Sequence, residues 1–160
     1  MSVRYLTQMG LAVLLLFLST FGAWYEGSEL LGDPWEWKYS TPFSKMVNGE
    51  VNGTSDITEL DFFVYSAKFN PVFPVLMVIS LVYLTFLSGY KLLRSNHIKL
   101  SVFCSGLGIL LLIVSGLISN SPTNGGKALT TTFIVCGILS FTFASSFYFR
   151  MFKRQGKEVY

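Results

Sequence analysis

The chain has 160 residues, of which 51% are hydrophobic and only 13% charged, with a net charge of +3. Soluble domains carry about 25% charge, and with a mean hydropathy of +0.52 this composition excludes a globule surrounded by water. The pI of about 8.9 reflects charge segregated along the chain and no nucleic-acid partner is implied.

Four stretches contain no Asp, Glu, Lys, Arg or His: 5–25, 69–90, 100–126 and 128–149. The third shortens to 100–118, because Ser119–Gly126 is a polar loop with proline and glycine. A bilayer core of about 30 Å takes about 20 helical residues. Only helices and closed barrels satisfy their backbone groups in lipid, and these runs lack the alternation of barrel strands. The expected fold is therefore all-α: a transmembrane four-helix bundle, forming one integral membrane domain over 1–160.

Span one (5–25) also has features of a secretory signal, since Arg4 precedes the apolar run Leu11–Leu18. Phe21 lies two residues before Ala23, however, where signal peptidase wants a small side chain. The uncleaved reading is preferred. Ser2 stands where myristoylation needs glycine, and no cysteine lies near the C-terminus, so lipid anchoring is unsupported.

Residues 26–68 form the one segment long enough to fold outside lipid, as an outer loop with short strands and an amphipathic helix. Trp35-Glu36-Trp37-Lys38-Tyr39 alternates aromatic and charged residues, the pattern of a half-buried strand with Trp35, Trp37 and Tyr39 on one face. Pro42 ends that strand or marks an edge. Asn48-Gly49 reads as a tight hairpin and Asn52-Gly53 as a second turn. Asp56 with Glu59 gives a capping-box start for a helix that places Ile57, Leu60, Val64 and Ala67 at helical spacing. A strand through Leu60–Tyr65 is the alternative. Asn70-Pro71 and Pro74 punctuate the entry to span two (69–90).

His97, the only histidine, lies in the short loop before span three (100–118) and lacks a partner for a metal site or catalytic dyad. Cys104 and Cys136 fall at different depths in spans three and four (128–149), by about 12 Å at 1.5 Å per residue. They are read as small packing residues and not as a disulfide. In span four, Thr132, Cys136, Ser140 and Ala144 recur every fourth residue, a stripe that lets helices approach closely in lipid. Packing within the chain is the preferred use of the stripe, and a homo-oligomer the competing one. Span three offers Ser101, Ser105, Gly108 and Ser115-Gly116 less regularly.

Lys and Arg beside the spans set orientation. Arg4, Lys91, Arg94, Lys99, Arg150, Lys153, Arg154 and Lys157 collect on one side, eight of the twelve basic residues. Eight of the nine acids lie within 26–61, in the outer loop. The expectation is a plasma-membrane, multi-pass protein with both termini and the basic tail 150–160 cytoplasmic.

No acidic, basic or histidine side chain interrupts the spans, although such groups mark proton and ion pathways. A proton-coupled exporter is therefore disfavoured. Neither a phosphate-cradling glycine loop nor a nucleophile or zinc motif occurs. No catalytic residue, cofactor or metal is expected, and the anticipated partners are the lipid bilayer and a membrane or envelope protein.

The stretch Glu59-Leu60-Asp61-Phe62-Phe63-Val64-Tyr65-Ser66-Ala67-Lys68-Phe69-Asn70-Pro71-Val72-Phe73-Pro74 resembles the loop-to-span-two junction of small uncharacterised four-span proteins of Gram-positive bacteria. That resemblance implies a bacterial plasma membrane and supplies no activity. The layout is also similar to claudin-like proteins, but this chain lacks their two loop cysteines. The favoured function is a non-catalytic accessory or interaction protein acting through its acidic outer loop, with Trp35, Trp37 and Tyr39 as partner-binding candidates. The alternative is a permease for a neutral solute, its path lined by Ser80, Thr85, Ser115 and Ser140.

Overall fold

A computed structural model describes residues 3–155, with side chains to Phe149. The basic tail anticipated over 150–160 lies outside the described residues, apart from the helical backbone of 150–155. Seven α-helices follow one another among the described residues: α1 (Val3–Gly27), α2 (Trp37–Ser40), α3 (Pro42–Asn48), α4 (Glu59–Phe69), α5 (Val72–Leu93), α6 (His97–Ile118) and α7 (Asn124–Gln155). Short 3-10 turns cover Ser28–Gly32 and Thr54–Asp56.

Four helices are long and apolar enough to cross a membrane, in α1, α5, α6 and α7. Their ends obey local rules. Pro74 sits in the first turn of α5, where the missing N–H would have no helical acceptor anyway. The Asn96 side chain accepts from the N–H groups of Ile98 (3.0 Å) and Lys99 (3.1 Å), which moves the start of α6 back to His97. The histidine anticipated in a loop is thus the first helical residue. Thr123 Oγ1 accepts from Gly126 N at 3.1 Å at the start of α7, another side-chain cap.

The long helices form two pairs, α1 with α5 and α6 with α7. Smaller contacts of α5 with α6 and α7 join the pairs. The face joining α6 to α7 is a seam of small residues at heptad spacing. Ser101 Oγ donates to the carbonyl of Ala144 at 2.9 Å, and Ser115 Oγ to that of Thr130 at 3.3 Å. Between them, a Cβ on Gly108 would come within 3.2 Å of the Gly137 carbonyl oxygen. Positions 101, 108 and 115 thus meet 144, 137 and 130, the antiparallel geometry of close helix pairs in lipid.

Residues 28–70 fold into a helical cap over one end of both pairs, and no strand occurs among the described residues. The small sheet read from the sequence is therefore corrected. The aromatic–charged run 35–39 is a turn leading into α2, held by Trp37 N to Pro34 O (3.3 Å) and Ser40 N to Glu36 O (2.8 Å). Pro42 begins α3 instead of ending a strand, as proline favours the first helical position. Asn48-Gly49 closes α3: Gly49, at φ 78°, is the centre of a γ-turn in which Glu50 N donates to Asn48 O at 3.1 Å. An Asn-Gly pair serves a hairpin and a helix end equally well, because both need a positive φ.

The amphipathic helix exists as α4, with its N-cap position at Thr58, two residues after Asp56. Asp56 instead closes the preceding turn, its carboxylate accepting from Asn52 N (3.0 Å) and Gly53 N (3.1 Å). The buried face of α4 is Asp61, Phe62, Tyr65 and Ser66, while Leu60 is exposed. Aromatic bulk against α1 decided the face, and a polar carboxylate went in with it.

Candidate functional site

The cap is organised around one carboxylate. Asp61 on α4 is fully buried and points at the N-terminus of α3, 17 and 18 residues earlier in the chain. Its Oδ1 accepts from Phe43 N at 2.9 Å and its Oδ2 from Ser44 N at 2.8 Å. The hydroxyl of Ser44 also donates to Oδ2, as does Thr58 Oγ1 at 3.2 Å. Ser44 Oγ in turn accepts from Thr58 N at 2.8 Å. The first N–H groups of a helix have no internal acceptor and present a partial positive charge. A buried carboxylate needs such donors. Asp61 therefore satisfies α3 and itself at once, and ties α3 to α4.

A second polar link joins α4 to α2. Lys68 Nζ donates to Tyr39 O at 2.6 Å and to Ser40 Oγ at 3.0 Å, and Ser40 Oγ donates to Glu36 Oε2 at 2.8 Å. Burial pushes the Lys68 ammonium below its usual pKa; Glu36 opposes that shift and Lys45 adds to it. Beneath this link, Leu30, Phe62 and Tyr65 form an apolar cluster joined by Trp37 and Ile57. Burial raises the Tyr65 phenol above its usual pKa, and the nearby Asp33, Glu29 and Glu36 reinforce the shift.

Helical turns also separate the three aromatics singled out by the alternation. At about 100° per residue, positions 35 and 39 fall on one side and 37 on the other. Trp37 turns inward and its Nε1 donates to Leu30 O at 2.8 Å. Trp35 is 80% exposed and Tyr39 58% exposed. The structure thus brings Trp35 and Tyr39 to the surface and uses Trp37 to hold the cap.

Two glycines clamp the cap to the long helices. A Cβ on Gly27, the last residue of α1, would overlap the Phe62 carbonyl, and one on Gly125, in the first turn of α7, would overlap those of Ala67 and Lys68. The backbone of α4 therefore lies against both, bridging the α1–α5 pair to the α6–α7 pair. The residues read as a packing stripe on α7 grade from half-buried Thr132 and Cys136 to buried Ser140 and Ala144. A four-residue repeat drifts about 40° per step around a helix whereas a seven-residue repeat drifts about 20°. Ala144 accordingly sits in the seam to α6, with Gly137 and Thr130 completing it. Both cysteines are free thiols.

The hydroxyls considered for a solute path are engaged with backbone. Ser80, Thr85 and Ser140 donate to the carbonyls of Leu76, Leu81 and Cys136 in their own helices, at 2.7, 2.8 and 2.8 Å. Ser115 lies in the α6–α7 seam. No group of three His, Cys, Asp or Glu able to hold a metal occurs among the described residues.

Asp61, Gly27, Gly125 and Gly137 were not singled out by sequence reasoning. For Asp61 a signal was present: an acid inside the apolar run Leu60–Tyr65, with the helix-starting Thr41-Pro42 upstream. For Gly27 and Gly125 there was none, since a single close backbone approach leaves no periodicity, whereas Gly137 lies in the seven-residue repeat Thr130, Gly137, Ala144.

The fold thus defines an all-helical protein with four helices of membrane-crossing length and a hydrogen-bonded cap. It belongs to the family described as a domain of unknown function, DUF4306, which matches residues 6–93, spanning α1, the cap and α5. It is also similar to the uncharacterized protein YjdJ of Bacillus subtilis (strain 168), with 41% identity over 78 residues, covering 48% of this chain and 72% of that protein. No solved structure matches.

Proposed function

We propose that this chain is a non-catalytic, multi-pass protein of the bacterial plasma membrane that presents its cap to another membrane or envelope protein. Both termini lie in the cytoplasm in this reading, because Lys and Arg concentrate at that end. The observation that carries the proposal is a cap locked by Asp61 while large apolar side chains stay outside. Trp35, Tyr39 and Met46, the last 84% exposed, belong to a segment, 26–68, with eight acids and three lysines, of which Lys38 lies 5.8 Å from the Tyr39 ring centroid. Pre-organised aromatic anchors within a charged surround are the usual make-up of an interface. The expected partner therefore offers apolar pockets with a basic rim.

Photocrosslinking from position 35 or 39 in intact cells tests the reading. A discrete adduct, lost on Trp35→Ala plus Tyr39→Ala with the protein still membrane-inserted, supports it. Unchanged association in that double variant would remove the role assigned to the cap. Trp37→Ala is a poorer probe, since it also strips the cap of a hydrogen bond and an apolar anchor. Maleimide labelling of an engineered cysteine at position 46, but not at 157, from outside the cell checks the orientation.

A further inference from the structure

At the end opposite the cap, α5 packs on α6 and α7 through Phe86, Leu93, Phe103 and Phe147, and α1 stands apart from α7. α1 packs on α5 and α4, α7 packs mainly on α6, and α1 and α7 share no substantial contact. The gap is a lateral cleft of about 1070 Å³, with walls from α1, α5 and α7. Its mouth carries Arg4, Lys91 and Arg94, and no carboxylate lines it. Its deeper walls are aromatic and aliphatic: the tilted rings of Phe86 and Phe143 meet with centroids 4.9 Å apart, beside Leu87. Lys91 Nζ lies 4.8 Å from the Tyr5 ring centroid, so one cation is held over the mouth by a ring on the facing helix.

We propose that this cleft binds an anionic phospholipid, with the phosphate at Arg4, Lys91 and Arg94 and an acyl chain between α1 and α7, along α5. The inference rests on the long helices lying in a bilayer and is independent of any partner for the cap. Two observations select this occupant. Three cations from two helices converge on one opening, whereas basic flanks that merely set topology need no shared cavity. The cleft also runs along α5 from Arg94 to Tyr83, about 16 Å at 1.5 Å per residue. That is about half of a 30 Å hydrocarbon core, the reach of a chain from one leaflet. Basic pockets between membrane helices are a known form of headgroup recognition.

The test uses the purified full chain in mild detergent with phosphatidylglycerol or phosphatidylcholine of identical acyl chains, and reads retained lipid by mass spectrometry after washing. About a tenfold preference for phosphatidylglycerol is expected, falling to about twofold or less in the triple variant Arg4→Gln, Lys91→Gln, Arg94→Gln. Lys99→Gln, at the same end but outside the cleft, should keep the preference. Equal retention of the two lipids, or an equal loss of preference in Lys99→Gln, would overturn the proposal. So would displacement of the lipid by millimolar inorganic phosphate, because the site would then take a free anion. A second readout needs no variant. Phosphatidylglycerol with a photoreactive acyl chain should label residues 83–90 and 143–147 of the wild-type chain. Even labelling over all four long helices would refute the binding mode.

Discussion

In the cap the fully buried side chains include Ser40, Thr41, Ser44, Asp61 and Ser66, while along α1 the buried positions are Ala12, Ser19, Ala23 and Gly27. Polar groups are buried in both regions and used differently. In the cap they bond between elements, as Asp61 to α3 and Lys68 to α2. In the long helices most hydroxyls turn back on their own helix, as Ser19 does to Leu15 O at 2.8 Å, and contact between helices comes from absent bulk. Hydrogen bonds have direction and specify the cap's shape. Small residues only permit approach, and leave exact placement to complementary surfaces.

The cap should therefore fail first when a polar group is removed. Asp61→Ala strands the N–H groups of Phe43 and Ser44 and should cost about 3–5 kcal/mol, the range for breaking a buried charged network. The measurement is denaturant unfolding in detergent, together with protease cleavage appearing between 40 and 60. Similar stability and protection in that variant would mean that the cap is not organised by its carboxylate. Steric substitution at the junction comes next. Gly27→Val drives a side chain into the α4 backbone and should cost about 2–3 kcal/mol, with the cap becoming cleavable before the long helices unfold. Gly108→Val, in the α6–α7 seam, should cost about 1–2 kcal/mol and leave cap protection unchanged. Were both glycine variants to expose the cap equally, the two regions would be one cooperative unit.

The pH response sharpens the contrast, since the Tyr65 shift belongs to the cap. Its folded pKa is raised, so above pH 10 the unfolded chain has lost a proton that the folded chain keeps. Stability then falls as pH rises through that window. Lys68 is shifted the opposite way, its folded pKa being lowered, and contributes a rise in stability just below its ordinary pKa. Because Lys68 is common to both proteins, Tyr65→Phe against wild type isolates the phenol. The variant should lose less cap protection between neutral and strongly alkaline pH. The smallest effect is expected outside both packed regions: Leu110→Ala, on the exposed face of α6, should change stability by no more than about 0.5 kcal/mol.

Much of the candidate site was hidden for a physical reason visible in particular residues. The run 35–39 alternates, but five residues, about one and a half helical turns, cannot separate a period of two from a helical one. Trp37 became an anchor because Leu30 O was within reach of its indole, a contact that no local pattern encodes. The face of α4 was read from Leu60, Val64 and Ala67, yet Phe62 and Tyr65 carry more apolar area and won the inward positions. The cleft at the far end is assembled from Arg4, ninety residues before Arg94, and only the meeting of α1 with α5 makes them one feature.

What the sequence by itself determined is where long apolar helices can form and which ends carry charge. Both follow from the cost of placing formal charge in hydrocarbon, a property of each twenty-residue window taken alone. Tertiary structure decided that residues 28–70 form helices instead of a sheet, which face of α4 turns inward, and how α1 stands off α7 to leave a cleft. Those outcomes depend on partners far along the chain: a carboxylate on α4 that completes the first turn of α3, and two glycines that let one helix bridge both pairs.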